Sequence, residues 1–409
     1  MPMTEILLVN VSGPDRPGVT SAVSAVLAQH GATVLDIGQA VIHDTLNLGL
    51  LAWVPRRGEV GAAMGELRAT LRALGLEVRF EPVTDAAYRH WVGQQGKPRH
   101  IVTLLARAIL AEHIARVTAV ISAHGLNIDK IVRLSGRVPL ASTARDGKAC
   151  VEFSVRGDTP DLAQLRLSLL ELSTELDIDI AYQEDSIFRR HRRLVAFDMD
   201  STLIENEVID ELALRAGAGL QVAAITERAM RGELDFRASF RERLALLKGL
   251  PESVLDEVYA GLTLTEGAEH LIATLKKLGY KTAILSGGFR CIGERIRARL
   301  GIDYLFANEL EICDGVVTGE VRGEIVDATR KAELLRQLAV REGISLEQTI
   351  AVGDGANDLL MLGVAGLGIA FRAKPIVRAT AKQSISQLGL DSILYLMGIS
   401  DQDARGPHS

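Results

Sequence analysis

Leu194-Val195-Ala196-Phe197-Asp198-Met199-Asp200-Ser201-Thr202 is the stretch on which the reading of this chain turns. An apolar run, Leu194 to Phe197, leads straight into two carboxylates spaced by one residue. A short uninterrupted apolar run reads as a strand buried on both faces, as in a parallel sheet. Buried carboxylates are costly unless something compensates them. At the carboxyl end of a parallel strand, a ligand or a metal usually does so. Ser201 and Thr202 add short hydroxyls and a candidate helix cap. Alone, the stretch fits an Asp-rich cap as well as a catalytic turn, so residues further along must decide.

Two more strand ends supply them. Lys281 to Leu285 ends in Ser286-Gly287-Gly288-Phe289, where a hydroxyl and backbone N–H groups can hold a phosphate. Thr349 to Val352 runs into Gly353-Asp354-Gly355-Ala356-Asn357-Asp358, where glycines permit close backbone approach. Lys331 stands at the start of a helix, and Leu310–Val321 reads as a hairpin around Asp314-Gly315. Asp198 and Asp200 together with Asp354 and Asp358 offer hard oxygen ligands suited to magnesium. From 194 onward, strands alternate with helices, which argues for a doubly wound parallel sheet. Amphipathic segments at about 207–216, 221–231, 236–247 and 252–260 interrupt the alternation, Pro251 starting the last. Inserted right after the first acidic turn, they read as a cap over the site.

The N-terminal half is a repeat. Glu5–Val11 reads as a strand, followed by the turn Ser12-Gly13-Pro14-Asp15-Arg16-Pro17-Gly18. A helix follows with Val19, Val23, Val26 and Leu27 on one face, ended by Gly31. Strands at Val34–Ile42 and Leu46–Val54, a helix at Glu59–Leu74 and a strand at Leu76–Phe80 complete a βαββαβ, ferredoxin-like unit. An offset of 94 residues carries His30-Gly31 onto His124-Gly125, Val23 onto Val117, Val26 onto Val120 and Ile37 onto Ile131. The later elements recur as Ala149–Val155, Asp161–Leu172 and Asp177–Tyr182. Residues 141–147 read as a long mobile hairpin loop. Arg189-Arg190-His191-Arg192-Arg193 reads as a solvated linker.

The first copy resembles an ACT domain, an amino acid-binding regulatory module, through Asn10-Val11-Ser12-Gly13-Pro14-Asp15-Arg16-Pro17-Gly18. The resemblance implies a ligand loop in which Asn10, Asp15 and Gly18 take part, with backbone amides meeting an amino acid carboxylate. The same offset puts Glu112 where Gly18 stands and Ile109 where Asp15 stands, so the second copy departs from the ligand pattern. In the other half, Asp198-x-Asp-x-Thr, Ser286-Gly-Gly, Lys331 and Gly353-Asp-Gly-Ala-Asn-Asp look like the four motifs of the haloacid dehalogenase superfamily. Glu205-Asn206-Glu207-Val208-Ile209-Asp210-Glu211, the run Asp235–Arg243 and Leu246–Leu250 are similar to the phosphoserine phosphatase family, in its long form with tandem ACT units.

That resemblance implies a magnesium-dependent phosphatase releasing L-serine from O-phospho-L-serine through an aspartyl phosphate. Asp198 would be the nucleophile and Asp200 the acid and base. Asp198, Asp200 (by its backbone carbonyl) and Asp354 would hold Mg2+, with Asp358 in support. Ser286, Gly287, Lys331 and Asn357 would meet the phosphoryl group, with Gly288 supporting. Glu207 and Arg243 would grip the ammonium and the carboxylate of the substrate. Met230 and Phe236 would line the cap. It further implies serine regulation through the ACT half and a homodimer. Physical chemistry agrees with the two carboxylates: a carboxylate nucleophile splits ester hydrolysis into two steps, and one neighbouring group serves first as acid, then as base. The residues leave two alternatives open. One is another phosphatase of the superfamily, acting on phosphothreonine, a phosphoprotein or another ester. The other is an amino acid sensor with a vestigial enzyme half.

Composition bounds the rest. Hydrophobic residues make up 47% and charged residues 24% of the 409, as in ordinary globular domains. A net charge of -6 gives no footprint for nucleic acid. Cys150, Cys291 and Cys313 are odd in number and far apart, which favours a reducing compartment. No signal peptide and no membrane span is read, so a cytoplasmic location is expected. The expected map is a first ACT unit at 1–85, a linker at 86–98, a second ACT unit at 99–184, a linker at 185–193, a Rossmann-like catalytic domain at 194–400 with its cap at about 205–262, and a disordered tail at 401–409.

Overall fold

The computed structural model describes residues 5–55, 59–94, 96–137, 147–158 and 161–405. Residues 1–97 form one compact unit and residues 98–409 another. In the first unit, β1 (Glu5–Pro14), β2 (Thr33–Ile42), β3 (Thr45–Val54) and β4 (Glu77–Val83) form an antiparallel sheet in the order β2-β3-β1-β4. Val19, Val23, Val26 and Leu27 of the helix Val19–Gln29 are buried, as their spacing requires. They pack on Leu7, Val9 and Val11 and on alternate residues of β3, Leu46 to Val54. Most of the expected linker is a helix, Asp85–Gly93, capped by Thr84, whose Oγ1 accepts the Ala87 N–H at 3.1 Å.

The second unit opens with the second copy: β5 (Arg99–Ala106), β6 (Asn127–Arg133), β7 (Ala149–Arg156) and β8 (Asp179–Glu184), in the order β6-β7-β5-β8. Residues 141–146 of the expected hairpin loop lie outside the described residues. The repeat offset of 94 holds for the first helix, where Val117 and Ile121 are buried, but not for the strand before it. There Val102, Leu104 and Ala106 face the helices. A displacement by one residue moves every side chain of a strand to the other face, so the connection from strand to helix is shorter in the second copy.

A third sheet has seven strands: β9 (Leu194–Phe197), β10 (Lys281–Phe289), β11 (Tyr304–Cys313), β12 (Val316–Arg322), β13 (Thr349–Gly353), β14 (Leu367–Phe371) and β15 (Gln383–Ile385). Their order is β12-β11-β10-β9-β13-β14-β15, and every pairing is parallel except that of β11 with β12. Asp314 and Gly315 turn that antiparallel hairpin with φ of 50° and 75°. The chain order reverses around β9, so the carboxyl ends of β10, β9 and β13 meet at one crevice. Four helices, Val208–Arg215, Gly219–Met230, Phe236–Ala245 and Val254–Gly261, form the cap. The chain leaves and re-enters the core side by side: the Glu205 N–H donates to Thr263 O at 2.9 Å, and the Thr265 N–H to Leu203 O at 3.0 Å.

Two further expectations are corrected here. The basic run is solvated only in part: Arg190, His191 and Arg193 are exposed, but the other two arginines are not. Ile187–Arg190 forms one 3-10 turn, and Arg189 and Arg192 are 1% and 6% exposed. Arg189 pairs with Glu152 of β7. The tail is ordered through Asp401–Arg405, a short helix whose Asp401 carboxylate accepts from Tyr395 Oη and Gly136 N, each at 2.6 Å. Among the described residues no helix is long and apolar enough to cross a membrane.

Candidate active site

β9 delivers Asp198 at the centre of the crevice. Its Oδ1 accepts the Met199 N–H at 2.7 Å, and its Oδ2 lies 2.8 Å from Lys331 Nζ. Lys331 comes from the first turn of the helix Ala328–Arg341 and is fully buried. Its ammonium also meets Asp358 Oδ1 at 2.7 Å. Asp358 is held in turn by the Gly355 N–H at 3.0 Å, while Asp354 accepts from Thr202 Oγ1 at 3.2 Å. The glycines of this turn leave room for the side chains that follow them. A Cβ at Gly353 would come within 2.4 Å of Asp358 Cγ, and one at Gly355 within 2.1 Å of Asn357 Oδ1.

Carboxylate oxygens of Asp198, Asp354 and Asp358 lie within 4.8 Å of one another. Burial, then the charges of Asp198 and Asp358, push Asp354 up to about 8. Burial and Asp198 push Asp358 up to about 7. Burial, with Glu207 next, holds Asp200 well above the usual carboxylate range. Burial opposes the Lys331 ammonium, yet Asp198 and Asp358 hold it above its ordinary value. So the buried Asp198 and Asp358 and the half-buried Asp200 and Asp354 face one lysine, a charge imbalance that a divalent cation would relieve. The all-oxygen donor set fits a hard cation such as magnesium.

The Asp200 carboxylate turns towards the cap. Its Oδ1 accepts the Val208 N–H at 2.9 Å, and its Oδ2 stands 3.5 Å from Ser286 Oγ. Gly288 N–H donates to Ser286 Oγ at 2.8 Å. A cavity of about 700 Å3 is lined by Asp198, Asp200, Glu207, Phe236, Arg243, Gly287, Gly288, Asp354 and Asn357. Ser286 bonds to Asp200, Lys331 to Asp198 and Asp358 to Gly355 at the edge of this cavity. Loss of water within the cavity pushes Glu207, whose side chain is still exposed at the cavity mouth, up from its ordinary value and Arg243 down, while each favours the charged form of the other. The side chain of Met230 lies outside the described residues.

Sequence reasoning missed five participants. Ser201, in the left-handed region at φ 54°, donates to Glu207 Oε1 at 2.7 Å. Lys374, Ile376 and Val377 add to the cavity wall. Asn308 is completely buried beside the Gly287 carbonyl. It carried the signal that flagged Asp198, a polar residue ending an apolar strand run.

The ACT ligand residues belong to the other unit. Gly18, at φ 94°, caps the helix Val19–Gln29, and nothing lies within 4 Å of where its Cβ would be. Asp15 donates its N–H to Asp44 O at 2.8 Å. In the second copy the helix already starts at Ala111, so Glu112 sits inside its first turn.

This crevice, cap and repeat define a haloacid dehalogenase-like hydrolase with tandem ACT domains. The family model of that hydrolase matches residues 192–366, and two ACT models match 5–81 and 98–183. A solved haloacid dehalogenase family hydrolase from Salmonella enterica serovar Typhi superposes with a TM-score of 0.62 at 35% identity, over 74% of this chain and 99% of that one. A phosphoserine phosphatase of Mycobacterium tuberculosis is 43% identical over 98% of this chain and 95% of its own length. One from Streptomyces coelicolor is 43% identical over 97% and 93%. The chain belongs to the phosphoserine phosphatase family.

Proposed function

We propose that this enzyme hydrolyses O-phospho-L-serine to L-serine and phosphate, as the last step of L-serine biosynthesis. The observation that carries this reading is the cavity that Glu207 and Arg243 share with Asp198 and Asp354. Beyond its phosphate, phosphoserine presents one ammonium and one carboxylate, and a carboxylate and a guanidinium match them. Phe236, standing over Gly287, excludes water from the phosphoryl group.

Asp198 attacks the phosphorus, and its P–O bond forms as the bond to the serine oxygen breaks. Asp200, oriented by the Val208 amide, gives its proton to the departing oxygen. A water then attacks the same phosphorus, Asp200 takes its proton, and Asp198 leaves as a carboxylate. Ser286, Gly287, Lys331 and Asn357 hold the phosphoryl oxygens throughout. Mg2+ would be held by Asp198, the Asp200 backbone carbonyl and Asp354, with Asp358 in support, and supplies the charge that lets one anion approach another.

The loop of the first ACT copy, with Asn10, Asp15 and Gly18, takes a regulatory amino acid in this reading, L-serine as the end product. Its support is the open helix N-terminus at Gly18. Pairing of ACT modules makes the enzyme a homodimer, and the free thiols of Cys150, Cys291 and Cys313 suit the cytoplasm. The test is phosphate release from O-phospho-L-serine and p-nitrophenyl phosphate, each with and without Mg2+. Mg2+-dependent release strongly favouring phosphoserine is expected. Preference for the aryl ester would remove the substrate assignment.

A further inference from the structure

β10 and β11 pair through Ala283–Tyr304, Ile284–Leu305 and Leu285–Phe306, then resume only at Phe289–Asn308. The chain advances further on β10 than on β11, so Ser286, Gly287 and Gly288 arch out of the ladder. Both glycines line the cavity. Neither can be stiffened by a side chain of its own. A Cβ at Gly288 would come 2.2 Å from Asp200 Oδ2, and one at Gly287 would come 3.0 Å from Phe236 Cζ. A Gly-Gly peptide is the easiest of all to rotate, yet here it must hold its orientation beside an anion.

The hold comes from Asn308, fully buried behind the arch. Its Nδ2 donates to the Gly287 carbonyl at 2.7 Å, and its Oδ1 accepts the Val326 N–H at 2.8 Å. Only one amide orientation satisfies both partners. The Gly287 carbonyl and the Gly288 N–H are the two poles of one peptide plane, and the second pole donates to Ser286 Oγ at 2.8 Å. With its oxygen accepting from the Gly288 N–H, the Ser286 hydroxyl directs its own proton to the cavity side, where it now donates to Asp200 Oδ2 over a long 3.5 Å and can turn to a phosphoryl oxygen. Val326 directly precedes Asp327, whose carboxylate caps the helix that carries Lys331.

We propose that Asn308 is a positioning residue of the phosphate cradle. It locks the Gly287–Gly288 peptide so that Ser286 donates to the phosphoryl group, and it ties that arch to the segment leading to Lys331. The proposal rests on the phosphatase reading above, but not on which ester is cleaved.

Asn308→Asp tests it. The shape is unchanged and an acceptor for Val326 remains, but the donor facing the Gly287 carbonyl is lost. Orthophosphate inhibition, and kcat and KM for O-phospho-L-serine and p-nitrophenyl phosphate, are measured beside thermal unfolding. The inhibition constant of orthophosphate should rise about tenfold, the weight of one buried hydrogen bond. KM for both esters should rise with it, since both present the same phosphoryl group. Added to Ser286→Ala, Asn308→Asp should cost little more, because the two act in one chain. An unchanged orthophosphate constant overturns the proposal, and so do losses that simply multiply with Ser286→Ala. Should the Asp variant not fold, Asn308→Ser, too short to reach the Gly287 carbonyl, must give the same result. Wild-type preference for the aryl ester removes the phosphoserine assignment alone, because orthophosphate inhibition judges Asn308 separately.

Discussion

The two ACT copies share one fold and differ in what their sheets face. In the first, β3 alternates between buried and more open residues, and β2 is exposed along most of its length. One face of that sheet carries the helices, as an antiparallel sheet ordinarily does. In the second, β5 and β7 are buried on both faces. Val102, Leu104 and Phe153 meet their own helices, while Leu105, Cys150 and Ala181 belong to the core of the catalytic domain. Polar groups fix that junction. Gln383 of β15 bonds both the N–H and the carbonyl of Tyr182, at 3.0 and 2.5 Å, like an extra rung of the ladder. Arg107, in the loop after β5, makes a two-pronged pair with Glu266 at 2.8 and 2.7 Å. The matching loop of the first copy keeps an open glycine helix end. One copy therefore keeps an open helix end at this loop, while the other forms a wall of the enzyme.

The largest effect expected from breaking this contrast is at Glu152. Its partner Arg189 is 1% exposed, so Glu152→Gln leaves a buried guanidinium uncompensated. Loss of about 3–5 kcal/mol is expected, read as a lower urea midpoint for the transition that abolishes turnover. An unshifted midpoint would show that the second copy is not structurally fused to the enzyme.

Next comes Asp179 at the same junction. Its Oδ2 accepts the Ser386 and Gln387 N–H groups, each at 2.8 Å, while its Oδ1 has no partner among the described residues. Burial pushes its pKa up to about 6 from 3.8, with Arg378 opposing and Asp177 adding to the shift. The folded state thus binds this proton more tightly than the unfolded chain. Its contribution improves as pH falls from about 6 towards 4, and the full cost of the charge is felt above 6. Relative to Asp179→Asn, the wild type should gain up to about 3 kcal/mol between pH 7.5 and pH 4. Urea midpoints of the two proteins across that range, compared as differences, read the effect; parallel curves would remove it.

How much of this was legible depends on how far apart the determining residues lie. Asp198, Asp200, Lys331, Asp354 and Asp358 stand where apolar runs or helix starts announce them, because a parallel sheet gathers its strand ends locally. Both βαββαβ units were legible for the same reason, from the periodicity of each element. Arg189 read as solvated because its partner Glu152 lies far back in the chain, in β7. The linker at 86–98 hid a helix because Gly93 and Gly96 outweighed the cap at Thr84. The tail ordered at Asp401 through Tyr395 and Gly136, the second far away in the chain. Asn308 ends an apolar run as Asp198 does, but it escaped because its partners are main-chain groups, which no residue pattern marks.

A smaller effect is expected at Arg107. The pair with Glu266 is about a third exposed on each side, and water screens it. Arg107 holds Glu266 below the usual carboxylate range, but Arg107→Ala should cost only about 1 kcal/mol. Its sharper reading is functional. Glu266 also meets Arg372 at 3.0 Å, and Arg372 reaches Glu205, at the neck of the cap, at 3.8 Å. A change in kcat with an unchanged KM would show that the second copy bears on cap movement; no change in either would leave it a wall alone.

The smallest effect on the enzyme is expected at Gly18. Its φ of 94° is strained for any other residue, so Gly18→Trp should cost the first ACT domain about 1–2 kcal/mol. Open space beyond the missing Cβ means that the indole displaces no protein atom at its root, only what would dock at the helix end. Turnover without added amino acid should therefore match the wild type, because Gly18 lies in the other compact unit. Heat of L-serine binding, measured by calorimetry, should disappear. Retained binding would place the ligand elsewhere and leave both copies without a sensing role at this loop. Lost basal turnover would show instead that the first copy, too, supports the enzyme, and the contrast between the two would collapse.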